Sequence, residues 1–152
     1  MKPSMIFFPW KNIRKDLLAL LDQFDETEMD FKPFPGSWPV GKIFLHIAES
    51  EDYWIHYLVR KEITENPHYE LKEYPSISAI RMKLRVSEER TQSFIDTLRE
   101  PDLDWVFKTP RGENLILFNV LWHVLEHEMH HRGELSLILG MLGKKGWGDL
   151  KG

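Results

Sequence analysis

Residues 121–133, LWHVLEHEMHHRG, decide both the fold and the function expected of this chain. The stretch holds four of the seven histidines, inside apolar residues with the three- and four-residue spacing of an amphipathic helix. Histidine is the commonest metal-ligating side chain, and residues four apart on a helix share a face. Since a solvated His-rich helix is the ordinary alternative, the prediction depends on which rings face inward.

His127 and His131 fall within the apolar stripe of this helix when each residue advances by about 100°. The stripe is formed by Leu117, Val120, Val124, Leu135, Ile138 and Leu142. Glu134 also falls inside it. Two buried imidazoles need hydrogen-bond partners or a metal ion. The pattern therefore predicts an inward-facing histidine pair, either as metal ligands or as core residues satisfied by carboxylates or water.

The remaining polar residues of the stretch lie at the edges of the stripe, His123 and His130 on one side and Glu128 on the other. Residues 127–131, HEMHH, also match the zincin motif H-E-x-x-H, with Glu128 as the general base. Zincins usually take a third ligand from downstream, and no histidine follows His131. No strand-rich region precedes the motif either, so a metalloprotease is disfavoured.

A third metal ligand is expected from another helix, because a pair of histidines alone holds a metal weakly. His46 lies at the margin of the buried face of the predicted second helix. His56 points away from that face, and His68 follows a proline in a connection, so both are predicted at the surface. His46 is the best candidate.

Over the whole chain, the apolar spacing predicts four long helices. The expected fold is therefore an all-α, four-helix bundle in one domain, residues 1–152. The predicted helices are Trp10 to about Phe31, Trp38 to about Glu62, Ser76 to Arg99, and Leu117 to Leu142, which ends before Gly143. The connection at 63–76 is long enough to be a crossover between the second and third helices. Residues 104–109 and 113–115 flank Pro-Arg-Gly and predict either a short hairpin or an irregular loop.

Composition excludes several classes of protein. The chain has no cysteine, so it offers neither disulfides nor thiolate ligands, and any sulfur chemistry requires an external thiol. The net charge of −4 argues against a nucleic-acid partner, and the basic run 81–85 is balanced by Glu88 and Glu89. No apolar run is long enough to span a bilayer, and the first residues lack a secretory signal, so we expect a cytoplasmic protein without a membrane partner.

Two motifs resemble the DinB-like (DinB/YfiT) superfamily. The first is Trp38 followed by residues 41–51, GKIFLHIAESE, and the second is residues 123–135, HVLEHEMHHRGEL. The resemblance extends over nearly the whole chain, including the order of the helices. It implies a four-helix bundle with a long crossover, a homodimer, and a divalent metal ion held by His46, His127 and His131.

The resemblance also implies a chemistry, since characterised relatives look like transferases and isomerases that depend on bacillithiol, mycothiol or glutathione, and others look like hydrolases. The expected function is activation of a low-molecular-weight thiol, or of water, at a zinc or nickel ion for transfer to a small electrophile. Glu128 or Glu134 would orient ligands or move the proton. The alternative is a non-catalytic metal-binding or ligand-binding bundle. The aromatic residues predicted for a dimer surface are Phe7, Phe8, Trp10 and Trp147.

Overall fold

The computed structural model of the protein describes residues 1–146 and consists of five α-helices and one small β-hairpin. The predicted dimer residue Trp147 lies outside the described residues. The helices are α1 (Pro3–Ile6), α2 (Pro9–Gln23), α3 (Val40–Glu51), α4 (Ile77–Thr97) and α5 (Leu117–Met141), and the strands are β1 (Val106–Lys108) and β2 (Asn114–Ile116). No helix in this part of the chain is long and apolar enough to cross a membrane.

The four long helices form the predicted bundle. Helices α2 and α3 each pack against both α4 and α5, so α2 and α3 lie diagonally opposite one another. The long connection predicted between the second and third helices is present between α3 and α4, and it contains a short 3₁₀ turn, Leu71–Glu73. Gly41 permits its close approach, because a Cβ atom there would lie 2.6 Å from Leu71 Cδ1.

The prediction of one continuous helix from Trp10 to Phe31 is wrong. Helix α2 ends at Gln23, and a separate 3₁₀ helix occupies Glu26–Asp30. The sequence contains the reason, since Asp25 and Glu28 form a capping box in which the Asp25 backbone N–H donates to Glu28 Oε1 at 2.6 Å. The capping box therefore begins a second, separate helix at a place where the apolar spacing alone predicts one continuous helix.

The second predicted helix extends to the expected region but changes type within it. Residues Asp52–Val59 continue α3 as a π-helix, whose wider turn changes the direction of every later side chain. His56 is consequently fully buried, and its prediction as a surface residue is wrong. A helical wheel of constant pitch fails at this point because it cannot represent the change of pitch.

The ends of the third and fourth predicted helices are confirmed to within two residues. Ser76 caps α4, where its hydroxyl oxygen accepts a hydrogen bond from the Ala79 backbone N–H at 3.0 Å. Helix α5 ends before Gly143, which has a φ of +77° as expected for the residue after a helix. The hairpin also forms, with Phe107 opposite Leu115 in the antiparallel pair.

The interior consists of two apolar clusters. One contains Leu17, Phe44, Leu84 and Leu135, and the other contains Trp10, Ile55, Ile95, Leu121 and Leu125, among others. The prediction that Phe7 and Trp10 are exposed dimer residues is wrong, since both are 1% exposed within the second cluster. Phe8 is exposed.

Candidate metal centre

Three histidines from two helices converge at one side of the bundle. His46 comes from α3, and His127 and His131 come from successive turns of α5. The Nε2 atom of His127 lies 3.0 Å from that of His46 and 3.1 Å from that of His131. These are the three residues predicted as metal ligands, and as a group they could hold a metal ion.

All three imidazoles are partly buried. Burial, followed by the charges of neighbouring histidines, lowers the pKa of His127 to about 4 and that of His131 to about 3. Both rings are therefore neutral at pH 7, and a neutral imidazole is the form that ligates a metal. At pH 7, protons therefore do not compete with a metal ion for the ring nitrogens of His127 and His131.

Carboxylates lie against the opposite nitrogens of two of these rings. His46 Nδ1 lies 3.5 Å from Glu49 Oε1, and His131 Nδ1 lies 3.5 Å from Glu134 Oε2. A carboxylate on Nδ1 favours the tautomer that keeps the proton there, which leaves the Nε2 lone pair free to face a metal. His131 Nδ1 is buried and makes no hydrogen bond within the described residues, so its contact with the Glu134 carboxylate is electrostatic.

Glu49 contacts the candidate site and was not among the residues predicted from the sequence. Burial opposes its ionisation, but hydrogen bonds from His46, the Tyr69 backbone N–H and Lys42 outweigh burial and lower the pKa of Glu49 to about 2. Its carboxylate is thus held in a fixed, ionised state beside His46. The signal was present in the sequence, because residues three apart on a helix face the same way.

The other histidines lie outside the converging group. His130 and His68 are exposed, with side-chain exposures of 71% and 67%. His123 is also exposed and packs edge-on against Trp54, with 5.2 Å between ring centroids. The sequence-based placement of His123 and His130 at the edge of the helix face agrees with these positions.

Glu128 points into the centre of the bundle, where it is 1% exposed. The wheel placed it at an edge because the predicted stripe omitted Leu121, Leu125 and Leu139, all of which are buried. When they are included, the stripe is centred near Glu128, and the histidines lie at its margin. The histidine rings are thus partly exposed, whereas Glu128, the glutamate of the H-E-x-x-H pattern, is buried in the core.

A buried arginine accounts for this position of Glu128. Arg14 Nε donates to Glu128 Oε2 at 2.9 Å, and Arg14 Nη2 donates to Glu128 Oε1 at 2.6 Å and to Glu51 Oε1 at 2.7 Å. Trp10 Nε1 also donates to Glu128 Oε1, at 3.0 Å. Arg14 was detectable from sequence, since it interrupts the apolar stripe formed by Trp10, Leu17 and Leu21.

The network continues from Glu51 to the π-helix. Thr91 Oγ1 donates to Glu51 Oε2 at 2.6 Å, and the same hydroxyl oxygen lies 3.0 Å from His56 Nε2. Arg60 Nη1 donates to His56 Nδ1 at 3.0 Å. His56 is therefore neutral with its proton on Nε2, and burial lowers its pKa to about 4. Burial, together with the second carboxylate at Glu128, raises the pKa of Glu51 to about 7 despite Arg14.

The residues present fit a divalent transition metal. With zinc–nitrogen distances of about 2.0–2.1 Å, two tetrahedral ligands lie about 3.3 Å apart, close to the 3.0 and 3.1 Å found here. Three imidazole nitrogen donors with no cysteine suit zinc or nickel. Three protein ligands also leave a position for water or substrate, as catalytic zinc sites do.

Comparison with solved structures identifies relatives of the same fold. A DinB-like protein from Bacillus cereus is 17% identical, with a TM-score of 0.72 and 90% of each chain covered. A DinB-like protein from Bacillus subtilis is 19% identical, with a TM-score of 0.67, covering 86% of this chain and 85% of its own. A mycothiol-dependent maleylpyruvate isomerase is 16% identical, with a TM-score of 0.61, covering 86% of this chain and 60% of its own.

Comparison of sequences assigns the family. No curated protein sequence matches the chain. The sequence profile of the DinB superfamily, in contrast, matches residues 10–135, which include both histidine motifs and all three converging histidines. The chain therefore belongs to the DinB superfamily.

Proposed function

We propose that the protein binds a divalent metal ion through His46, His127 and His131, and uses it to activate a low-molecular-weight thiol, or water, for transfer to a small electrophile. The observation that carries this proposal is the convergence of three Nε2 atoms, with carboxylates against the Nδ1 atoms of two rings. Zinc and nickel both suit such a donor set. Such an ion lowers the pKa of a bound thiol or water, so that the nucleophile forms near neutral pH.

Glu128 and Glu134 were predicted to orient ligands or to move the proton, and their carboxylates lie in different surroundings. Glu134 lies beside His131 at the partly exposed side of the site, with 38% of its side chain exposed. We propose Glu134 as the group that accepts the proton of the thiol or water. Glu128 has both oxygens bonded to Arg14, so we assign it the positioning of α5 rather than proton transfer.

The fold of the mycothiol-dependent isomerase supports a thiol as co-substrate, although that protein is only 16% identical. A thiol must come from solution, because this chain has no cysteine. In the proposed reaction the thiol proton passes to Glu134, a carbon–sulfur bond forms with the electrophile, and the leaving group departs with its electron pair. In an addition reaction no leaving group departs: the displaced electron pair stays on the electrophile and takes the proton back from Glu134.

The test combines metal analysis with thiol consumption. We expect about one zinc or nickel ion per chain in untagged protein, and consumption of bacillithiol or glutathione with chlorinated or epoxide electrophiles. His127→Ala should remove both while the helical content stays unchanged, since four amphipathic helices supply most of the stability. His123→Ala is the matched control and should retain both, since His123 is exposed and lies outside the groups of described residues that could hold a metal ion. Absence of metal from purified and metal-soaked protein would contradict the proposal.

A non-catalytic metal-binding bundle is the second candidate, because one ligand lies on α3 and two lie on α5. A metal there would hold the two helices together and stabilise the fold by mass action. In that case chelation would lower the melting temperature substantially, and no thiol or water reactivity would be found with any electrophile tested.

A further inference from the structure

A cavity of about 360 Å³ lies against His131, one of the three converging histidines. We name it the α5 pocket. His131 and Glu134 form part of its wall, so the pocket borders the candidate metal centre at the His131 ring. The apolar side chains that line it are Phe34, Trp38, Ile43, Leu137, Ile138 and Met141.

Large apolar side chains are exposed around the rim of the α5 pocket. Phe34 is 62% exposed and Leu137 is 68% exposed, and Trp38 and Met141 are also exposed. A contiguous group of exposed large apolar side chains around a concave site marks a binding surface. The volume lies within the range of about 300–1,000 Å³ that is usual for small-molecule sites.

The charges around the α5 pocket restrict what it can hold. Glu134 is the only ionisable residue besides His131 among the described residues that line it, and no lysine or arginine is among them. Lys42 lies nearby, 5.9 Å from the centre of the Trp38 ring, but its ammonium group is already bonded to Glu49 and to the Tyr69 carbonyl. A carboxylate placed in this pocket would lack a cation and would face Glu134, which is unfavourable.

We propose that the α5 pocket binds the uncharged, apolar body of the electrophile, whose reacting atom lies at the histidines. This inference rests on the proposed function for the position of the reacting group. The substrate class is a small aromatic or aliphatic molecule with no negative charge on the part distant from the reacting atom. Trp38 joins the two regions, because its ring lies 4.6 Å from that of His46 and also lines the pocket.

A matched pair of thiols tests the charge preference. Phenylmethanethiol and 4-(mercaptomethyl)benzoate serve as probes of the pocket: the sulfur of each can bind the metal, and the two differ by one carboxylate at the far end of the ring. Their binding to zinc-loaded protein is measured by titration calorimetry. We expect the neutral thiol to bind at least tenfold more tightly. Equal affinities, or tighter binding of the carboxylate, would overturn the proposal.

A pair of methionine substitutions locates the effect. Met141→Lys adds a cation at the rim of the α5 pocket, and Met82→Lys makes the same change at an exposed position on α4 that is remote from the pocket lining. We expect Met141→Lys to reduce the preference for the neutral thiol at least fivefold and Met82→Lys to leave it unchanged. An equal effect of both variants would show that the preference does not arise in this pocket.

A metal-free experiment separates this inference from the proposed function. Benzyl alcohol and 4-(hydroxymethyl)benzoate are titrated into chelator-treated protein, and methyl and indole signals are followed by NMR. We expect benzyl alcohol alone to shift the signals of Trp38, Leu137 and Met141. This result would support the pocket even if the protein bound no metal, whereas shifts with both probes or with neither would contradict it even if the metal were present.

Discussion

Arg14 places one buried guanidinium group between two buried carboxylates, those of Glu51 on α3 and Glu128 on α5. Each of these carboxylates lies within five residues of a candidate ligand, since Glu51 follows His46 and Glu128 follows His127. The arginine therefore fixes the two ligand-bearing helices relative to each other. Its Nη1 also donates to the Leu84 carbonyl at 2.7 Å, which adds α4 to the same contact.

Arg14→Met should lower the free energy of unfolding at pH 7 by about 3–5 kcal/mol, because it leaves two buried carboxylates without a counter-ion. Arg81→Met is the matched control, since Arg81 pairs with Asp22 at the surface and such pairs contribute at most about 1 kcal/mol. Urea denaturation measures both. A loss below about 1 kcal/mol in Arg14→Met would show that the buried ion pairs contribute little.

The stability of the chelator-treated protein should fall as the pH is lowered from about 6.5 to about 4. The pKa values of His56, His127 and His131 are lowered to about 4, 4 and 3, so the unfolded chain binds more protons than the folded one in this window. The stabilisation from these three histidines is complete above the pKa of a histidine in the unfolded chain. It is lost as the pH falls toward their lowered pKa values in the folded protein. Glu51 acts in the opposite sense, because its pKa is raised to about 7 and its contribution is lost as the pH rises through that value.

Urea midpoints at pH 7, 5.5 and 4.5 measure this dependence. The double substitution His127→Gln with His131→Gln should flatten it, leaving the part due to His56. The same pH dependence in the wild-type protein and in the double variant would contradict the lowered pKa values of His127 and His131, because Glu51 and His56 contribute equally to both.

At the scale of elements, local capping sets where the helices begin and end, and packing sets their type. Ser76 caps α4 and Gly143 follows α5, and both residue types are favoured at these ends of a helix. The π-helix at Asp52–Val59 has no such local signal. It forms where His56 reaches Thr91 on α4, so a contact across the bundle accompanies the change of pitch.

Ser76→Ala should cost about 1 kcal/mol of unfolding free energy, because it removes the acceptor for the Ala79 backbone N–H. Ser78→Ala is the matched control in the first turn of the same helix. Its side chain is exposed, and alanine is the better helix former, so we expect a change within about 0.5 kcal/mol. Thermal and urea unfolding of both variants measures the difference, and equal losses would argue against the cap.

At the scale of the whole molecule, the homodimer implied by the family resemblance stays a prediction. Of the aromatic residues predicted for the dimer surface that the structure describes, Phe8 is exposed, and Phe7 and Trp10 are buried. Phe118 contacts both the buried Phe7 and the exposed Trp122, which places a further exposed aromatic near the start of α2.

We expect light scattering to give twice the chain mass of 18.1 kDa. Phe8→Glu should shift the population toward the monomer, because it places a charge on exposed apolar surface. Met82→Glu, on α4, is the control and should not change the mass. A monomeric wild-type protein at all concentrations would contradict the prediction.

Short-range periodicity and end residues such as Ser76 and Gly143 predict the bundle, the ends of α4 and α5 and the shared face of His127 and His131, because they act within one helix. His46 could be chosen only as the best remaining histidine and from the family resemblance, since its approach to the other two is a contact between helices. The burial of Glu128 and His56 likewise follows from contacts between helices. Burial of a charged residue becomes favourable only when partners from other helices, here Arg14 and Thr91, complete its hydrogen bonds. For the same reason, the tertiary structure placed the histidines at the margin of the core, where a metal and its substrate have access.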